Sequence, residues 1–150
     1  MPLPYIFGCQ STSLNTEERK FFIDTQPLGF ILFKRNCVDK RQVKELVKKL
    51  RSCVTHWAPV LIDQEGGRVQ RLNPPIWRSA PAAAIFEEIF QLNPKIAKEL
   101  VFLNARLIAE ELFELGIDVN CAPVVDLKEP NASFIIGDRA FSSDPEIASI

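Results

Sequence analysis

The densest chemistry in the chain lies in Asp63-Gln64-Glu65-Gly66-Gly67-Arg68-Val69-Gln70-Arg71. Asp63 closes the apolar run Val60-Leu61-Ile62, so its carboxylate stands at the end of a strand-like segment. Gly66 and Gly67 let the backbone turn sharply and come close to a ligand. Arg68 and Arg71 are three positions apart and would share a face of a helix, but the diglycine favours a turn. One arginine is then expected to point into a pocket, and the other to meet solvent or an acid. A carboxylate accepts two hydroxyl hydrogens and a guanidinium donates in a fork, so the combination suits a ligand rich in hydroxyls. A structural pairing of Asp63 with Arg68 is the competing reading.

Other polar groups fall at comparable points. Asp126 ends an apolar stretch and precedes a loop carrying Gly137-Asp138-Arg139. Lys34-Arg35-Asn36 follows another apolar run, and Arg35 and Asn36 are expected to tie loops together rather than touch ligand. Asp118 precedes its strand and reads as a turn residue. Asp63, Glu65 and Asp126 have oxygen donors but no histidine among them, so no metal or other cofactor is expected. The single histidine, His56, precedes a strand, at the end opposite to Asp63, and is read as a surface or packing residue.

The elements that must hold these groups follow from pattern. Residues 4–10 are a short apolar run rich in strand formers, 28–34 are a nearly continuous apolar run of the kind buried on both faces of a sheet, and 60–63 read as a third, buried strand. Asn15 with Glu17 and Glu18 marks a helix start that runs to about Thr25, and Asp39 caps a helix over 40–54. Val43, Leu46, Val47 and Leu50 make one face of that helix. Residues 73–81 hold three prolines and read as a loop, with a short helix over 82–90. The strongest helix is expected from Pro94 to Leu115, closed by Gly116, with Leu100, Leu103, Leu107, Ile108, Leu112 and Leu115 on its buried face. A strand over 117–127, interrupted at Asn120, a loop over 128–141 and a helix start at Ser143 or Asp144 complete the reading.

Strands alternating with helices imply a parallel sheet, and right-handed crossovers set successive strands side by side. Functional groups of such folds sit at the C-terminal ends of the strands, where Gly8-Cys9-Gln10, Lys34-Arg35-Asn36, Asp63 and Asp126 all lie. The expected architecture is α/β, a (β/α)8 TIM-barrel type represented by about its first four βα units. A closed barrel needs eight strands and about 250 residues, so residues 1–150 read as an incomplete, N-terminal part of one barrel domain, a fragment or truncated gene product.

Bulk properties exclude several classes. Net charge is −1, from 18 basic and 19 acidic residues, and no basic stripe interleaves with aromatics, so a nucleic-acid partner is not expected. No apolar run approaches the ~20 residues needed to span a bilayer, and no signal peptide is recognisable, so neither a membrane nor secretion is expected. Cys9, Cys37, Cys53 and Cys121 form no CxxC pair and read as free, mostly buried thiols of a reducing compartment, the cytoplasm.

Several of these segments together resemble glycoside hydrolase family 3, and within it the bacterial β-N-acetylglucosaminidases (β-hexosaminidases) of peptidoglycan recycling. They are Gly29-Phe30-Ile31-Leu32-Phe33 with Arg35-Asn36, Ile62 to Leu72, Gly116-Ile117-Asp118, Ala122 to Leu127, and Ile136 to Pro145. Their shared order at barrel-strand spacing is more specific than any single segment. The resemblance implies that Asp63 binds hydroxyls of the non-reducing-end sugar, that Arg71 belongs to the same subsite, and that Arg139 reaches the sugar from the loop after the fourth strand. Glu65, Asp126 and Arg35 are the supporting residues it implies. It also implies retaining hydrolysis through a carboxylate nucleophile late in the barrel and an acid/base histidine on a loop after strand five. No residue of 1–150 matches either, so no catalytic residue is expected in this chain. The partner implied is a small carbohydrate, an N-acetylglucosamine-containing muropeptide or oligosaccharide, together with a missing second half of the barrel. Two rival readings are a non-catalytic carbohydrate-binding remnant and a phosphate-handling barrel. Barrel phosphate sites usually follow strands seven and eight, which argues against the latter.

Overall fold

The computed structural model describes residues 1–129 and 134–150. In chain order its elements are β1 (Leu3–Gly8), α1 (Thr16–Thr25), β2 (Pro27–Leu32), a 3-10 turn at Lys34–Asn36, α2 (Lys40–Arg51), β3 (Val60–Ile62), β4 (Gln64–Gly66), β5 (Val69–Gln70), α3 (Ala84–Leu92), α4 (Pro94–Leu115), β6 (Val119–Asn120), a 3-10 turn at Gly137–Arg139, and α5 (Pro145–Ala148). The strands β1-β2-β3-β6 form one sheet in that order, and every pairing in it is parallel. This is the arrangement of a (β/α)8-type barrel over its first four βα units.

The helix ends follow from their caps. The Asn15 side chain accepts from the Glu18 amide at 2.8 Å, and the Glu18 carboxylate accepts from the Asn15 amide at 3.2 Å, closing a capping box. Glu18 also accepts from the Gln10 amide at 2.7 Å, which ties the loop after β1 to α1. Asp39 caps α2 by accepting from the Gln42 amide at 2.9 Å. Asn93 caps α4 and Pro94 occupies its first turn, while Gly116 ends it in the left-handed conformation.

The core lies between the sheet and α2. Phe30 and Leu32 of β2 and Val60 and Ile62 of β3 are fully buried, and Val43, Leu46, Val47 and Leu50 of α2 cover them, as the periodicity predicts. Each such side chain contributes about 1.5–3 kcal/mol of burial free energy. Phe22 of α1 adds an edge-to-face contact on Phe30 at 5.1 Å between ring centroids.

Two expectations need correction. On α4, Ile108, Leu112 and Leu115 are buried as expected. Leu100, Leu103 and Leu107 are 38%, 49% and 47% exposed, however, and Ala97 is buried instead. At 22 residues the helix is about 33 Å long, far longer than the two-residue strand that follows it, so only its C-terminal part reaches the sheet and α2. The strand expected over 117–127 shortens to Val119–Asn120. Asn120 turns its amide into the neighbouring backbone, accepting from the Gln64 N–H and donating to the Gln64 carbonyl, both at 2.9 Å. Pro123 then has no N–H for a ladder. The turn expected at Gly66-Gly67 is present, as the tip of an antiparallel hairpin, β4–β5.

The other elements agree within two or three residues. Asp144, rather than Ser143, caps α5, accepting from the Glu146 amide at 2.8 Å. The loop expected over 128–141 includes residues 130–133, which lie outside the described residues. Among the described residues no helix is long and apolar enough to cross a membrane.

Candidate functional site

The sheet register fixes which residues meet. Gly8 stands opposite Ile31, Leu32 opposite Ile62, and Ile62 opposite Asn120. The four strands therefore end nearly level, and Cys9, Lys34-Arg35-Asn36, Asp63 and Cys121 emerge together at one edge. Asp118 and His56 lie at the opposite edge. Asp118 accepts from the Val60 amide at 2.8 Å and pairs with Arg51, which is the turn role expected of it. His56 is half-buried beside the exposed Trp57, whose ring stacks on Arg51 at 4.2 Å.

Asp63 pairs with Arg71, not Arg68: Oδ2 accepts from the Arg71 Nη2 at 2.6 Å. The two side chains are 22% and 26% exposed, so the pair is sheltered yet open to the mouth. The hairpin makes this pairing possible by returning the chain across Gln64. Gln64 is buried, and its side-chain oxygen accepts from the Arg71 and Leu72 amides at 2.9 and 3.0 Å while its Nε2 donates to the Leu72 carbonyl at 3.2 Å. Gln70, also buried, accepts from the Ala80 amide at 3.0 Å and donates to the Leu72 and Arg78 carbonyls at 2.7 and 2.8 Å. The hairpin tip admits only glycine. Gly66 has φ 100°, and a Cβ there would lie 2.2 Å from the Pro81 carbonyl oxygen; at Gly67, with φ 56°, it would lie 2.7 Å from the Ala82 Cβ.

The hairpin's outer side chains hold the loop after β6. Glu65 grips Arg139 bidentately, accepting from Nε and Nη2 at 2.8 Å each, with the side chains 10% and 23% exposed. Arg68 pairs with Asp138 at 2.7 Å. Both arginines of the segment thus meet acids, where the sequence reading sent one of them to the pocket alone. The bonds to Glu65 push the Arg139 guanidinium up, and Asp126 and Asp63 act on it in the same direction. Asp126 itself is exposed.

Asp63, Arg71, Glu65, Arg139 and Asp126 are therefore one constellation at the strand ends. Arg35 stands apart from it. Its Nε donates to the Cys9 carbonyl at 3.1 Å and its guanidinium stacks on Phe33 at 4.6 Å, while Asn36 donates to the Cys9 and Ser11 carbonyls at 3.1 and 2.8 Å. These two residues join the loops after β1 and β2, as expected.

Sequence reasoning gave Gln64 and Gln70 no role, and read Asn120 only as a strand interruption and Cys121 only as a free thiol. The glutamines alternate with charged neighbours, and only their burial marks them as braces. Cys121 is exposed at the mouth, whereas Cys9 and Cys53 are buried and Cys37 is half-buried. Partial burial raises its pKa, and the nearby Asp63 charge raises it further. Burial pushes Cys37 up to about 12 and Cys9 up to about 11, so both are protonated near neutral pH.

Beyond Glu65, Asp126 and Arg139 opens a concavity of about 1640 Å³, walled by the exposed apolar face of α4, residues 122–127 and α5. Asp63 and Arg71 lie outside its lining. Chemically, the constellation combines carboxylate acceptors and guanidinium donors at a sheltered mouth, which fits a polyhydroxylated ligand.

Comparison with known proteins identifies the family and the fold. Residues 7–150 match the family profile described as glycosyl hydrolase family 3 N terminal domain. The chain is 38% identical over 144 residues to the beta-hexosaminidase of Xylella fastidiosa strain M23, covering 96% of this chain and 42% of that protein. It is 36% identical to the beta-hexosaminidase of Xanthomonas campestris pv. campestris strain B100, again covering 96% of this chain and 43% of the relative. Its structure superposes on that of NagZ from Neisseria gonorrhoeae in complex with N-trifluoroacetyl-D-glucosamine with a TM-score of 0.93 and 30% identity, over 99% of this chain and 44% of that one. A family 3 β-N-acetylglucosaminidase from Paenibacillus sp. str. FPU-7 matches with a TM-score of 0.79 and 27% identity, over 96% of this chain and 27% of that one. The chain thus spans about two-fifths of the length of the curated relatives it matches.

Proposed function

Because the chain belongs to glycosyl hydrolase family 3, through that family's N-terminal domain, we propose that it is the sugar-gripping part of a β-N-acetylhexosaminidase barrel acting on terminal, non-reducing β-linked N-acetylglucosamine. The observation that carries this reading is the Asp63–Arg71 pair at the end of β3, 2.6 Å apart and open to the mouth. In it a carboxylate is held and oriented where sugar hydroxyls can donate to it. Arg139, fixed by Glu65, brings a second guanidinium to the same opening. Asp126 adds negative charge beside it, and Arg35 steadies the neighbouring loops. No cofactor enters the reading.

The hydrolysis proposed is the retaining kind, with a carboxylate nucleophile and a separate acid/base. We assign neither group to residues 1–150 and place both in later βα units of one barrel domain, of which this chain is the N-terminal part. The apolar wall of α4 beside the 1640 Å³ concavity supports a second half seated there. The substrate class is a muropeptide or oligosaccharide ending in N-acetylglucosamine, which assigns the protein to peptidoglycan recycling in the cytoplasm.

Titration of the ¹⁵N-labelled chain with N-acetylglucosamine tests the subsite. Shifts are expected at Asp63, Arg71 and Arg139, and Asp63→Asn is expected to weaken binding about tenfold or more, the loss of a hydrogen bond to a charged acceptor. Equal affinity in the variant would make Asp63 structural. Turnover of an aryl N-acetyl-β-glucosaminide at an ordinary enzyme rate by the pure chain would overturn the division of labour.

A further inference from the structure

The bidentate grip of Glu65 fixes the guanidinium of Arg139 but not the backbone that carries it. That backbone is held from the other side of the hairpin. Arg68 Nη2 donates to three successive carbonyls, of Phe134, Ile135 and Ile136, at 3.1, 2.5 and 3.1 Å. Its Nε bonds the Asp138 carboxylate at 2.7 Å, and its guanidinium lies 5.7 Å from the centre of the Phe134 ring. Three carbonyl dipoles aimed at one point repel each other unless a cation sits between them. Within this stretch the backbone makes tight turns, Arg139 N–H to the Ile136 carbonyl at 2.9 Å and Ala140 N–H to the Gly137 carbonyl at 3.3 Å, and Arg139 Nη1 also donates to the Ile135 carbonyl at 3.3 Å.

We infer that Arg68 is a positioning residue for substrate binding: it gathers residues 134–138 around its guanidinium and so presents Arg139 to the mouth. The inference rests on the sugar-subsite reading of Arg139. Glu65 and Arg68 lie on either side of Gly66-Gly67, so the rigid tip sets the spacing of the two grips on the loop. A lysine at position 68 would place one ammonium among the carbonyls but lacks the planar fork needed to reach Asp138 as well.

The test uses the 150-residue chain with Arg68→Ala, Arg68→Lys, Asp138→Asn, Arg139→Ala and the double variant Arg68→Ala/Arg139→Ala. Amide hydrogen exchange at Arg139 and Ala140 is expected to speed up about tenfold in Arg68→Ala and less in Arg68→Lys and Asp138→Asn, with exchange in β2 and β3 unchanged. The Kd for N-acetylglucosamine is expected to rise about tenfold in Arg68→Ala and to recover partly in Arg68→Lys. In the Arg139→Ala background, Arg68→Ala is expected to cause no further loss, because both act through one contact. Unchanged exchange at Arg139 and Ala140 would overturn the inference, as would a full additional loss in the double variant. If Arg68→Ala does not fold, Arg68→Lys and Asp138→Asn carry the same comparison. Failure of the unaltered chain to bind N-acetylglucosamine would defeat the sugar reading alone, and the exchange data would still decide whether Arg68 holds the loop.

Discussion

Replacing Gln64 by leucine should release Arg71 without touching it. Gln64 is 1% exposed, and its amide makes three hydrogen bonds to the returning strand, two accepted from the Arg71 and Leu72 amides and one donated to the Leu72 carbonyl. Leucine is similar in volume and makes none of them. The Leu72 carbonyl keeps a partner, the Nε2 of Gln70 at 2.7 Å. The Leu72 amide is buried and loses its acceptor, costing about 1–3 kcal/mol. The Arg71 amide is partly buried and recovers some hydration, so its loss is about 1 kcal/mol. The added apolar burial offsets roughly 1 kcal/mol, leaving a destabilisation of about 1–3 kcal/mol. With a urea dependence of about 2 kcal/mol per molar, the unfolding midpoint should fall by about 0.5–1.5 M. Because Arg71 is then no longer anchored opposite Asp63, N-acetylglucosamine affinity should fall as well, even at temperatures where the variant is fully folded. Circular dichroism in urea and a binding titration read the two effects. A midpoint shift below about 0.3 M would refute the claim that this amide holds the hairpin's return. A normal shift with unaltered affinity would refute the claim that the brace serves Arg71.

The remaining predictions concern α4 and the thiols. Leu112→Ala should cost about 2–5 kcal/mol, whereas Leu103→Gln in the same chain should change stability by less than about 0.5 kcal/mol, measured by the same urea titration. Equal costs would mean that the outer stripe of α4 is packed after all. Iodoacetamide at pH 8.5, followed by peptide mass analysis, should modify Cys121 before Cys9, Cys37 or Cys53, because Cys121 is the exposed thiol. Only the thiolate reacts, and the Asp63 charge disfavours the thiolate. Asp63→Asn should therefore lower the Cys121 pKa and accelerate its alkylation, though not to the rate of a free thiol, since burial, the larger cause, remains. A slower reaction in the variant would show that Asp63 activates this thiol.

What could be read in the chain itself was what depends on neighbours along the sequence. Apolar runs over β1, β2 and β3, the caps Asn15 and Asp39, the α2 stripe and the glycine stop after α4 are set by local sterics and burial period, and each stands where the pattern puts it. The alternation of strand and helix was enough for a parallel sheet, and a level set of strand ends was enough to single out Asp63. The partners of the charged residues were not legible. Glu65 meets Arg139 across 74 positions and Arg68 meets Asp138 across 70, and such pairings exist only once β3 and β6 lie side by side. The same holds for Asp63, which chose Arg71 over the nearer Arg68 because the hairpin reverses the chain over a buried glutamine. Periodicity likewise showed which face of α4 is apolar but not how much of it is covered, since coverage depends on how far the neighbouring elements reach. The residue types at the mouth were a matter of sequence, and the geometry that lets them hold a ligand came from long-range contacts around the diglycine turn.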